Sequence, residues 1–193
     1  MNRTPITACL LAAAFACHAE APAGTSDDAD INAARAAIEA LAATLKAELT
    51  GAMQSGGPGK AIEVCNTQAM PLTRKIADEQ GYEIGRVSLK NRNPANAASP
   101  WQAEVLEDFE VQRALGIEIN AIAWTETVET GEGKEFRYMK PIPTAGVCLT
   151  CHGVQLPPVV QQVLAEKYPD DRATGYAEGD IRGAFVVTRK LAN

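Results

Sequence analysis

The chain has 193 residues, 46% of them hydrophobic and 22% charged, with a formal net charge of −6. That length suits one domain of ordinary soluble composition, able to bury a core without relying on disulfides. The acidic balance argues against nucleic acid as a partner.

Arg3 precedes a short apolar run from Ile6 to Ala16, followed by small residues in the A-x-A spacing that signal peptidase reads, so residues 1–19 are expected to be a cleaved export signal. The run is shorter than the about 20 apolar residues that a membrane span needs, and Glu20, Asp27, Asp28 and Asp30 follow it. No membrane span is expected. Two cuts compete: one after Ala19, and one after Ala16 that would make Cys17 a lipid anchor. Ala14 and Phe15 make a poor lipobox, which favours a free periplasmic protein. Cleavage after Ala19 removes Cys9, Cys17 and His18, and takes away Arg3 but no acid, so the charge moves from −6 to −7. Cys65, Cys148 and Cys151 remain, with His152 as the single histidine.

Residues 20–30 read as a flexible linker, and residues 31–193 as one domain. Ile31, Ile38, Leu41, Leu45 and Leu49 recur at helical spacing and predict a long amphipathic helix, which GGPG at 56–59 interrupts. A second helical stretch begins near Lys60. Its Ile62, Cys65, Ala69, Leu72 and Ile76 share a face, which turns Cys65 inward, and Pro71 is expected to kink or restart it. Tyr82 to Lys90 alternates as a strand, with Arg86, Ser88 and Lys90 on one face. Ser99, Pro100 and Gln102 form a helix start, and Trp101, Val105 and Phe109 supply that helix's buried side. The runs Ile117 to Val128 and Glu135 to Ile142 flank TGEGK as a hairpin. A last helix starts at Pro157–Pro158 and stops before Pro169, and Ile181 to Thr188 closes the chain as a strand. This mixed order with hairpin connections predicts an α+β domain on an antiparallel sheet.

Cys148-Leu149-Thr150-Cys151-His152 is C-x-x-C-H, the attachment sequence of c-type haem: two thiols add to the vinyl groups, and the adjacent histidine binds iron on its proximal side. A Cys148–Cys151 disulfide and a Cys₃His zinc site with Cys65 are the competing readings. Adjacent ligands at Cys151 and His152 suit a tetrahedral zinc site poorly, and an oxidising compartment disfavours zinc thiolates. With no second histidine left, the sixth iron position is open to Cys65, Met53, Met70, Met139, an exogenous ligand or none. Arg86, Lys90 and Arg92 are candidate partners of the haem propionates. Asp170, Asp171 and Asp180 read as turn residues in preference to a cation site.

AIEVC at 61–65, GRVSLKNRNPAN at 85–96, YMKPI at 138–142, CLTCHG at 148–153 and YPDDRATGYAEGDIRGA at 168–184 together resemble the PAS-like, single-haem c-type proteins catalogued as a domain of unknown function. The resemblance implies a PAS-like antiparallel sheet flanked by helices, with a long N-terminal helix. It also implies axial ligation by the motif histidine, here His152, and by an unusual cysteine that matches Cys65. The expectation is an exported monohaem c-type protein of the electron-transfer or redox-sensing kind, working with a redox or signalling partner and performing no chemistry on a substrate. A gas sensor with a dissociable Cys65, and a small haem enzyme, are the alternatives.

Overall fold

The computed structural model describes residues 26–191. The expected export signal, with Cys9, Cys17 and His18, lies outside the described residues, as does most of the expected linker. Residues 26–30 of that linker are instead the first turn of a helix, α1 (Ser26–Gln80). Asp30 is their anchor: it is buried, paired with Arg189, and accepts a hydrogen bond from the Tyr82 hydroxyl at 3.4 Å.

Gly57, at φ 70° and ψ −166°, divides α1 into two arms. Only glycine adopts that backbone without strain, and Pro58 then starts the second arm with its φ already helical. Asp30 and Tyr82 meet at the open end, so the arms run antiparallel. Ala34, Ala37, Ile38 and Leu41 of the first arm pack with Ile76 of the second against the sheet. The small side chains of Ala34 and Ala37 allow close approach.

The expected break at Pro71 does not occur, because Gly57 is the one non-helical position in α1. Pro71 and Thr67 both lie on the exposed side, so water can satisfy the Thr67 carbonyl that the proline ring leaves without its helical partner.

The sheet is fully antiparallel in the order β1-β4-β3-β2, formed by β1 (Glu83–Val87), β2 (Trp124–Thr130), β3 (Gly133–Pro143) and β4 (Ile181–Lys190). The chain's last strand is therefore central. One sheet face presents Ile84, Phe136, Tyr138 and Val187 to the α1 arms. The other presents Val87, Met139, Ala184 and Val186 to α2 (Pro100–Ala114), whose Val105, Leu106 and Phe109 are buried. Alternating residues thus serve two cores, as a pleated strand requires. The Gln102 side chain accepts the Ser99 N–H at 2.9 Å at the start of α2. Trp101, expected among the buried residues, is half-buried and stacks on Trp124 with ring centroids 5.6 Å apart.

Two strands are shorter than their sequence pattern. β1 ends at Val87 because the Ser88 hydroxyl donates to the Arg182 carbonyl at 2.8 Å and accepts the Lys90 N–H at 3.1 Å, which turns the chain away. β2 begins at Trp124, not Ile117, because Ile119–Ala121 forms a 3₁₀ turn; Lys140 holds that turn by donating to the carbonyls of Asn120 and Ile122. After β3 come α3 (Leu149–His152) and α4 (Pro158–Lys167), and a third apolar cluster joins Val160, Leu164 and Tyr168 to Ile62 on the second arm. The α+β class, the flanked antiparallel sheet and the long N-terminal helix all match the expectation. No helix among the described residues is long and apolar enough to cross a membrane.

Since Pro71 sits inside an unbroken helix, Pro71→Ala restores one backbone hydrogen bond and should stabilise the fold by about 1–2 kcal/mol, less than the full propensity difference because proline also stiffens the unfolded chain. Thermal unfolding should show a melting temperature higher by about 2–4 °C per kcal/mol. An unchanged or lower value would mean that Pro71 matches a local distortion.

Candidate functional site

The residues singled out by the sequence gather at one end of the sheet. β3 leaves there, β4 enters there, and β1 ends there, since Val87 pairs with Ala184 near the start of β4. The second arm of α1 ends where β1 begins. Cys65, fifteen residues before Gln80, therefore lies roughly 22 Å back along the helix, toward the far end of β1.

C-x-x-C-H occupies a 3₁₀ turn at Gly146–Cys148 followed by the single turn of α3. Cys148 and Cys151 are half-buried and free, and neither is paired with the other or with Cys65. Among the described residues no three His, Cys, Asp or Glu side chains converge to hold a metal ion, so the Cys₃His arrangement is not formed there. Cys151 packs on the Ile62, Leu164 and Tyr168 cluster.

The loop before β4 fixes the motif. The Tyr176 N–H donates to the His152 carbonyl and the Gly175 N–H to the Gly153 carbonyl, each at 3.0 Å. The His152 ring nitrogen Nδ1 lies 2.7 Å from the Ala173 carbonyl. A carbonyl can only accept, so Nδ1 carries the proton and Nε2 keeps a free lone pair. Burial, followed by the positive charges of Arg92 and Arg182, pushes the imidazole pKa down to about 3, which the bond to Ala173 only partly opposes. The ring is thus neutral and oriented, as a metal-binding imidazole must be.

Arg92 braces the same loop. It donates to the Cys151 carbonyl at 2.5 Å and the Ala173 carbonyl at 3.3 Å, and pairs with Asp171 at 3.1 Å. Asp171 in turn accepts the Ala173 N–H at 2.9 Å. Asp180 accepts the Ala177 N–H at 2.8 Å and pairs with Arg113 at 2.9 Å. Asp171 and Asp180 are therefore turn and pairing residues, and Asp170 is exposed beside them.

Cys65 corrects the inward reading. Ile62 and Ala69 on its helical stripe are buried, yet Cys65 itself is exposed. The stripe opens at the thiol, which is accessible to solvent. Although its surface is exposed, neighbouring atoms desolvate the thiol and push its pKa up, and the charges of Arg86, Arg92 and Arg182 act against that rise. Tyr168 and Cys151 are close enough to Cys65 to feel its charge.

The expected propionate partners divide. Lys90 lies beyond β1, donates to the Thr174 carbonyl at 2.6 Å and sits over the Tyr176 ring, and Arg92 is held by Cys151, Ala173 and Asp171. Arg86, half-buried on β1, forms no ion pair among the described residues, and neither does Arg182, whose Nε is buried without a partner. Burial, followed by the nearby positive charge of Arg182, pushes the Arg86 pKa down. Arg182 was missed by sequence reasoning; its signal was an arginine inside the apolar run of a central strand. Arg86 also borders a cavity of about 290 Å³ with Met70 and Gln102. Met139 is fully buried on the α2 side of the sheet, in a cluster that does not include Cys65 or Cys151, and Met53 is half-buried on the first arm near Gly57.

Fold and site together define a class of α+β protein in which a helical hairpin backs a four-stranded antiparallel sheet and a C-x-x-C-H turn is stapled at the sheet's end beside an open thiol. The Tll0287-like family is matched over residues 16–189, and the chain belongs to that family. It is similar to the crystal structure of the cyanobacterial heme-protein Tll0287, with 25% identity over 85% of this chain and 96% of that one and a TM-score of 0.63. No curated protein matches the chain.

Gly153, directly after His152, has no room for a side chain, since a Cβ there would lie 2.6 Å from the Leu149 carbonyl oxygen. Gly153→Ala should therefore displace α3 and destabilise the protein by about 1–3 kcal/mol. Denaturant unfolding measures this, and a wild-type midpoint would show that α3 yields freely.

Proposed function

We propose that the protein carries one covalent haem c, attached through Cys148 and Cys151, with His152 as the proximal ligand and Cys65 as the second axial ligand, and that it works in electron transfer or redox sensing in the periplasm. The observation that carries this reading is the His152 ring: Nδ1–H is committed to Ala173 and Nε2 is left free, directly beside two unpaired thiols. The remaining groups fit a haem. Ile62, Leu164 and Tyr168 give an apolar bed, the Cys65 thiol is exposed, and Arg86 and Arg182 are guanidiniums without carboxylate partners among the described residues, suited to two propionates. Likeness to a heme-protein supports the same cofactor.

When bound, the haem supplies a one-electron couple at iron. The chain's residues do the rest. Cys148 and Cys151 tether the group, Ala173 orients His152, and a Cys65 thiolate adds negative charge that favours the oxidised state. The export signal read in residues 1–19 supports the periplasmic assignment.

Expression in a periplasm with haem-maturation machinery should give a red protein whose colour survives acid–acetone extraction, and Cys148→Ala or Cys151→Ala should weaken that retention. A colourless protein that binds zinc stoichiometrically overturns the assignment. Cys65→Ala should leave a high-spin or water-bound ferric iron open to added imidazole, and Cys65→Met should raise the midpoint potential. Unchanged ferric spectra in both variants would remove Cys65 from the ligand set and make Met70, beside Arg86, the next candidate. A reduced wild-type protein that captures carbon monoxide would favour gas sensing over electron carriage.

A further inference from the structure

We infer that Arg92 is a positioning residue that sets the basicity of His152, and through it the potential of the site, by competing for the carbonyl that the imidazole uses. This rests on the haem reading above and goes beyond it. The Ala173 carbonyl receives two donors, His152 Nδ1–H at 2.7 Å and the Arg92 guanidinium at 3.3 Å. The same guanidinium nitrogen donates to the Cys151 carbonyl at 2.5 Å and meets Asp171 at 3.1 Å, so it cannot move away from Ala173 without breaking the brace on the motif. Arg92 and Asp171 are 13% and 10% exposed, which keeps water from screening the arrangement.

A cationic donor draws electron density from a carbonyl, and a carbonyl so engaged accepts less strongly from its second donor. With Arg92 present, the His152 Nδ1–H bond is held weaker than it would otherwise be, and the imidazole donates less density through Nε2. Without Arg92 that bond strengthens, the ring gains anionic character, and the oxidised metal is favoured. Loss of a nearby positive charge acts in the same direction. Asp171 opposes Arg92 in charge and is its counterweight.

Arg92→Met should therefore lower the midpoint potential, shifting the ferric-to-ferrous ratio at fixed ambient potential about tenfold toward ferric, equivalent to about 59 mV for one electron. The His152 Nδ1–H proton resonance of the reduced protein should move downfield as its bond strengthens, and Arg92→Lys should recover part of both shifts. Asp171→Asn keeps an oxygen for the Ala173 N–H and removes the negative charge, so the potential should move the opposite way. Opposite signs in the two variants support the inference, even if Arg92→Met is poorly produced and Arg92→Lys must be compared in its place. Shifts of the same sign, an unmoved Nδ1–H resonance, or unchanged potentials overturn it. If the wild-type protein takes up no haem, the function proposed above fails first, and the absence of colour distinguishes that failure.

Discussion

One hydrogen bond organises the functional end of this protein: the 2.7 Å contact between His152 Nδ1 and the Ala173 carbonyl. It decides the tautomer, the direction of Nε2 and the angle of a ring that burial keeps neutral. The surrounding elements can be understood as its supports. Asp171 shapes the turn that presents Ala173, Arg92 ties that turn to Cys151, and Tyr176 and Gly175 hold the backbone on either side of the motif. The sheet fixes both partners in space, because β3 delivers the motif and β4 follows the loop.

The motif needs little length, and its brace needs the whole domain. A C-x-x-C-H turn could fold anywhere, but a half-buried, neutral histidine beside Arg92 and Arg182 requires surroundings that limit its access to water. α1 provides them on one side of the sheet and α4 closes the floor through Ile62, Leu164 and Tyr168. The open thiol of Cys65 interrupts a stripe on which Ile62 and Ala69 are buried, so its exposure does not follow from the helix pattern.

Much of this could be read from residue order. C-x-x-C-H, the Pro158 helix start, the closing strand and the Gly57 break each depend on short-range chemistry, and short-range chemistry survives folding. The errors were of another kind. Sequence does not reveal which backbone carbonyls a cation will meet, here those of Thr174 for Lys90 and of Cys151 and Ala173 for Arg92. Pro71 looked like a breaker because its effect depends on whether the orphaned carbonyl reaches water. Strands were over-extended where a side chain, Ser88 or Lys140, captured the backbone. Arg182 was missed because its buried Nε becomes visible only once β4 is known to be central.

That central position of β4 carries a consequence for how the molecule comes together. β1 and β3 have no contact in the sheet except through the last strand, and Glu83 must find Thr188 across about 100 residues of chain. Loop-closure entropy over that span is met before the β1–β4 pairing is gained, whereas the β2–β3 hairpin pairs residues close in the chain and carries no such cost. Until β4 docks, the α1 hairpin lacks the surface against which Leu41 and Ile76 are buried, and the cysteines and histidine of the motif remain on a loose segment. A chain shortened before Ile181 therefore loses its architecture from the middle outward, where loss of β2 would trim only an edge.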